Sequence, residues 1–216
     1  MTIPVFDYRT DIGNVIVRPE IRSRFMRMEP GPASPLHSHD LGGEIFLVVD
    51  GLCEFIVEDE KVTCGPGQLV YMEPRVKHTL HAVGDGPCVV YLSVTPHVEP
   101  THTRYDEELN ILPPVYGGWR GKDYQDLTAN QTTDDLARTY TESARKLAEL
   151  ATKTATDLEH LTKQLIANTD AQDVQSTKQT VDDMWLGLRD VLLQVSEVEG
   201  SWNDLAPRGM PTEKSS

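Results

Sequence analysis

Between residues 14 and 95, apolar and polar residues follow a period of two. Short segments at 14–18, 22–28, 44–49, 52–57, 61–63, 68–72, 79–83 and 88–95 are rich in β-branched or alternating residues. That is the pattern of strands with one buried face. Gly31-Pro32, Asp50-Gly51, Glu58-Asp59, Gly65-Pro66-Gly67 and Gly84-Asp85-Gly86 punctuate them. Asp50-Gly51 is a hairpin signal, because both residues tolerate a positive φ. Many short strands at this spacing predict a mainly β fold, a sandwich or closed barrel.

The period changes to a helical one near Thr133. Tyr140, Leu147, Thr154 and Leu161 recur every seven residues, and Ala137, Ala144, Ala151, Leu158 and Leu165 form a second seam. Together they make a heptad stripe. Thr132 or Thr133 is placed to cap this helix, with Asp134 and Asp135 suiting its dipole. The segment 168–172 breaks the run. A second stripe follows, with Val174, Val181, Leu188 and Val195 on one row, Met184, Val191 and Val198 on another, and Trp185 and Leu192 widening it. The pattern predicts an α-helical hairpin over 133–206 and a frayed tail over 207–216. Two helices alone cannot bury so wide a stripe. Packing on the barrel, or on a second copy as a four-helix bundle, would cover it.

The segment 98–132 reads as an ordered connector. Pro100, Pro113-Pro114 and Gly117-Gly118 interrupt any long element, while Tyr105, Tyr116 and Trp119 give it something to bury. The domains expected are thus a β-barrel over 1–97, this connector, the hairpin and the tail.

Charge narrows the partners. The chain carries a net charge of −14, spread evenly over its two halves. A phosphate backbone or an anionic membrane would be repelled, so no nucleic acid and no membrane partner is expected. No apolar stretch approaches the length of a membrane span, and the first residues lack a signal-peptide pattern. The expected location is cytoplasmic. Cys53, Cys64 and Cys88 are odd in number and widely spaced, and they read as small buried strand residues rather than a disulfide framework.

The chemistry concentrates between Gly31 and His78. On a strand, His37 and His39 point to the same side, so their imidazoles can meet one ion. Glu44 follows after Gly42-Gly43, a bend that lets its carboxylate return to the same point. His78 arrives from another strand. Three imidazoles and a carboxylate suit one divalent transition metal ion (Fe, Mn, Ni, Co or Zn) better than Mg or Ca. On a six-coordinate ion, four ligands leave two positions open for substrate. His81 should point away from this site, and His97 and His102, in or beside the connector, are placed at the surface.

Three further residues are candidates for substrate binding. Arg24 shares a strand face with Arg22, and an arginine inside a barrel grips a carboxylate bidentately. Exposed arginines on an edge strand are the alternative reading. Phe46 shares a face with Glu44 and is expected in the cavity wall. Tyr71 lies on the strand before His78 and faces either the cavity or the outside.

These residues resemble the two cupin motifs. The first, G-x5-H-x-H-x(3,4)-E-x6-G, is met by Gly31, His37, His39, Glu44 and Gly51. The second, G-x5-P-x-G-x2-H-x3-N, is met by Gly67 and His78, with Glu73, Arg75 and Ala82 in place of the usual Pro, Gly and Asn. The resemblance covers about residues 10–97 and implies a single cupin barrel, a jelly-roll-like double-stranded β-helix, with the helical hairpin outside it. Metal cupins include dioxygenases, decarboxylases, sugar and uronate isomerases and dimethylsulfoniopropionate lyases, and other cupins bind sugars or sense effectors. A fold does not name a reaction. The resemblance implies a metal-dependent enzyme on a small oxygenated organic substrate (carboxylate, keto or sugar-like), dioxygenase-type or else an isomerase or lyase. The alternative is a non-catalytic small-molecule-binding or regulatory module. The expected partners are a small-molecule substrate and further copies of the chain, as a homodimer or other homo-oligomer.

Overall fold

A computed structural model describes residues 3–118 and 126–210. The alternating segments form the strands β1 (Gly13–Arg18), β2 (Ile21–Met28), β3 (His37–Ser38), β4 (Gly43–Asp50), β5 (Leu52–Val57), β6 (Glu60–Cys64), β7 (Leu69–Met72), β8 (His78–Val83), β9 (Cys88–Thr95) and β10 (Thr103–Arg104). They make two five-stranded antiparallel sheets, ordered β1-β2-β9-β4-β7 and β10-β3-β8-β5-β6.

Inward residues of both sheets meet in one core. Phe46, Val48, Met72, Val90 and Leu92 come from the first sheet, and Cys53, Phe55, Cys64, Leu80 and Ala82 from the second. The Phe46 and Phe55 rings lie 5.3 Å apart across the two sheets. All three cysteines are free thiols buried here. Alternation of branched and polar residues is thus what folds this half: one face of each strand leaves water and the other stays wet.

Gly51 closes the β4–β5 hairpin at φ +72°, the left-handed conformation that Asp-Gly predicts. The segment expected to connect the halves also contributes to the barrel. Thr103 and Arg104 pair with Ser38 and His37. Trp119 lies outside the described residues, as does most of the expected tail. Among the tail residues that are described, Pro207, Arg208 and Gly209 belong to a short 3-10 helix, Ala206–Gly209.

The chain divides into two compact units, 1–127 with 206–216 and 128–205. The second holds α1 (Thr133–Asp170) and α2 (Val174–Leu205). Thr132 caps α1. Its hydroxyl accepts from the Asp135 amide at 3.1 Å, and the Asp135 carboxylate accepts from the Thr132 amide at 3.1 Å, a reciprocal capping box. Along the α1 stripe Thr154 is buried and Tyr140, Leu147, Leu158, Leu161 and Leu165 are half-buried, while Ala151 is exposed. On α2 the outcome differs. Met184, Val191 and Val198 are half-buried, but Val174, Val181, Trp185, Leu188 and Leu192 are exposed. The reason is small-residue packing. Thr154 and Thr180 are buried, Asn168 donates to Thr180 Oγ1 at 3.2 Å, and a Cβ on Gly187 would sit 3.1 Å from Thr154. Close approach along this line turns the larger apolar row outward. No helix of the described residues is long and apolar enough to cross a membrane.

Candidate metal centre

β3 and β8 are hydrogen-bonded neighbours, and His37 and His78 are directly opposed in their register. Opposed residues share a face, and these two rings lie 4.4 Å apart. His39 follows β3 and keeps the same side, its ring 5.5 Å from His37 and 5.8 Å from His78. Glu44 enters from β4, in the other sheet. Gly42 permits this entry, since a Cβ there would meet Val94 Cγ2 at 2.8 Å and the Pro96 carbonyl oxygen at 2.9 Å. His37, His39, Glu44 and His78 each offer one ligand atom, all within 4.8 Å of one another. They form a group able to hold a metal ion.

Each ring is fixed by its other nitrogen. Nδ1 of His37 lies 2.9 Å from the Pro35 carbonyl, that of His39 2.6 Å from the Thr101 carbonyl, and that of His78 3.0 Å from the Val76 carbonyl. A carbonyl only accepts, so each Nδ1 carries the hydrogen and donates. In the neutral rings every Nε2 is then a lone pair. Glu44 Oε2 lies 2.8 Å from His39 Nε2 and 3.3 Å from His78 Nε2. Lone pairs and an anion converge on one point, and a cation is what reconciles them. Backbone carbonyls holding the far nitrogen are the usual outer support of metal-binding histidines.

The electrostatics follow from burial. Burial acts to raise the Glu44 carboxyl, but without a metal ion the Nε2–H of a protonated His39 or His78 donates to it and holds the group well below the usual carboxylate range, a place that an ion on the Nε2 lone pairs of the neutral rings would take. Burial, with His78 nearby, lowers His37 to about 4. A neutral His37 and an ionised Glu44 are the forms that bind a metal.

The other sequence candidates divide. Phe46 is fully buried, 5.9 Å from the His78 ring. Arg24 sits on the inner face of β2, level with Leu92, which is level with Phe46. Tyr71 does not reach the cavity. It opposes Ile45 on the outward face, is 55% exposed, and lays its ring against Gly43. His81 points away, its Nε2 3.6 Å from Glu54.

Sequence reading missed His97 and His102. His102 is placed by the β10–β3 pairing, and its ring lies 5.0 Å from His37 and 4.8 Å from His39. Burial is the main cause of its lowered pKa. His97 is buried, its Nδ1 3.2 Å from Thr101 Oγ1. The same Thr101 supplies the carbonyl that orients His39. A pocket of about 240 Å³ opens behind His39, bounded by Gly42, Val94, Pro96, Glu99 and Thr101.

Residues 24–95 match the family described as "Cupin domain". The match falls within the two sheets and includes His37, His39, Glu44 and His78, and a C-terminal helical extension lies outside it. No curated protein matches the chain. Solved structures similar to it include an uncharacterised protein with a double-stranded β-helix domain from Klebsiella pneumoniae (17% identity, 43% of this chain and 84% of that one, TM-score 0.41). KdgF from Halomonas sp. is similar at 22% identity, 40% of this chain and 78% of that one, with a TM-score of 0.38. The DMSP lyase DddQ from Ruegeria pomeroyi is similar at 22% identity, 40% of this chain and 43% of that one, with a TM-score of 0.36.

Proposed function

We propose that the protein is a metal-dependent cupin enzyme acting on a small oxygenated organic substrate. His37, His39, Glu44 and His78 hold one divalent transition metal ion, drawn from Fe, Mn, Ni, Co or Zn. The observation that carries this reading is the tautomer set. Three Nδ1–H groups are tied to backbone carbonyls, which leaves the Nε2 of each neutral ring as a lone pair, and those of His39 and His78 lie 2.8 Å and 3.3 Å from Glu44 Oε2. When bound, the ion supplies a Lewis acid for a substrate oxygen, or a centre that activates dioxygen.

The chain's own residues do the rest. Glu44 offsets charge at the centre. Phe46 excludes water from beneath His78. His102 stands over His37 and His39, where a neutral imidazole can pass a hydrogen bond to a bound molecule. An oxidative, dioxygenase-type reaction ranks ahead of isomerisation or lyase chemistry, because a nitrogen-rich donor set accommodates redox metals. Three buried free thiols suit a reducing compartment, and the reading keeps the protein in the cytoplasm.

A second reading, a non-catalytic binding or regulatory module, is favoured by one feature. The exposed apolar row of α2 offers a surface that an enzyme of this size does not need. Homo-oligomerisation through that row accommodates both readings. Metal content and oxygen dependence separate the reactions. Bound iron, with turnover of a keto or hydroxy acid that stops without oxygen, supports the first. Zinc alone, with turnover indifferent to oxygen, overturns the oxidative assignment and leaves isomerase or lyase chemistry.

A further inference from the structure

Two arginines lie inside the barrel, and the strand registers fix where. Across β2, β9 and β4, Arg22 is level with Val94, and Val94 with Glu44. In the next inward row Arg24 is level with Leu92, and Leu92 with Phe46. Both guanidinium groups therefore share the interior with Glu44. Arg22 is only 2% exposed. The Nε of each arginine is buried with no hydrogen-bond partner among the described residues. Glu44 attracts both arginines and Glu99 attracts Arg22, but through space rather than by hydrogen bonds. Burial lowers Arg22 to about 10, so it stays a cation at neutral pH.

A buried guanidinium without a hydrogen-bonded counter-charge is unfavourable. A metal ion on Glu44 would take up the nearest negative charge and leave the pair more exposed electrostatically. What satisfies two such groups is an anion with paired acceptor oxygens. A carboxylate fits better than a phosphate. It carries one charge on two oxygens, and the flanking Val94, Leu92 and Phe46 offer no donors for a third oxygen or a second charge. Arg22 and Glu44 are two strands apart, roughly 10 Å at the backbone, which a short acid can bridge.

We propose that Arg22 and Arg24 form a carboxylate-binding site inside the barrel, which holds a short-chain organic acid with its far end at the group of three histidines and one glutamate, His37, His39, Glu44 and His78. The link to those four residues rests on the metal reading above, while the carboxylate site rests on the arginines alone.

Calorimetry on the full chain, metal-free and manganese-loaded, tests this with a panel of short acids (acetate, glycolate, 3-hydroxypropionate, succinate), their amides and inorganic phosphate. At least one acid binds, and its amide does not. Arg22→Gln and Arg24→Gln each weaken that acid about tenfold or more, the order expected for one charge-assisted hydrogen bond, while manganese stoichiometry stays that of the wild type. No acid binding, equal binding of acid and amide, or phosphate binding tighter than every acid would overturn the proposal. So would folded variants with unchanged affinity. If the variants do not fold, the acid–amide comparison on the wild type decides. A chain that takes up no manganese yet binds an acid through both arginines would sink the metal reading and leave the carboxylate site standing.

Discussion

Glu44 Oε2 lies 2.8 Å from His39 Nε2, while the other nitrogen of the same ring donates to the Thr101 carbonyl at 2.6 Å. The ring is thus held from one side by the segment after β9 and read from the other by β4. Substituting Glu44 by Gln keeps the size but removes the anion. The expected result is loss of most bound metal with little change in fold. It is checked by metal analysis beside far-ultraviolet circular dichroism.

Phe46 joins the site to the core, packed between Phe55 and His78. Phe46→Ala should destabilise the chain by about 3–5 kcal/mol, the usual cost of removing a buried aromatic ring. Chemical denaturation measures it. A loss below about 1 kcal/mol, the scale of an exposed substitution, would contradict the placement.

Two motif glycines make a matched pair. Gly67 has φ +82° and no atom within 4 Å of a built Cβ, whereas at Gly51, with φ +72°, a Cβ would overlap the Pro87 carbonyl oxygen. Gly67→Ala should cost about 1–2 kcal/mol of conformational strain. Gly51→Ala should cost clearly more, because backbone must also move. Equal losses would contradict the close approach of β5's turn to Pro87.

The buried histidines set a pH dependence for the metal-free chain. Burial and the nearby Arg22 lower His97 to about 3, and burial lowers His37 to about 4, from an ordinary 6.5. With the folded pKa depressed, the unfolded chain binds protons first as pH falls. Stability is then full above about 6.5 and declines as pH falls toward 4 and 3. Thermal melts from pH 7.5 to 4.5 should show a falling midpoint across that window. A midpoint that rises on acidification would contradict the burial.

Val181, Trp185, Leu188 and Leu192 leave an apolar row on α2 outside the hairpin. If a second copy covers it, the full chain is a dimer by light scattering and Leu188→Glu is a monomer. A wild-type monomer at micromolar concentration would contradict the dimer.

Much of this was legible in the chain. Period-two alternation located eight of the ten strands among the described residues, because one buried face imposes it. His37 and His39 stood out by spacing, since strand geometry puts alternate residues on one side, while Glu44 and His78 joined them through a glycine bend and the motifs they resemble. His102 did not. No periodicity runs through 98–102, and only the long-range pairing of Thr103–Arg104 with β3 brings it back to His37. Arg22 and Arg24 could not be placed either, as alternation gives a shared face without saying which face is inward. The outward row of α2 was hidden for a similar reason. Thr154, Thr180 and Gly187 outcompete the larger residues for the helix contact by allowing close approach, and hydrophobicity does not register that.

Metal content decides whether His37, His39, Glu44 and His78 form a metal centre. The full chain, purified without chelators, should carry close to one divalent transition metal ion per chain. The His37→Ala, His78→Ala double variant, folded by circular dichroism, should carry almost none. Equal metal in both would place the ion elsewhere and contradict the centre described here.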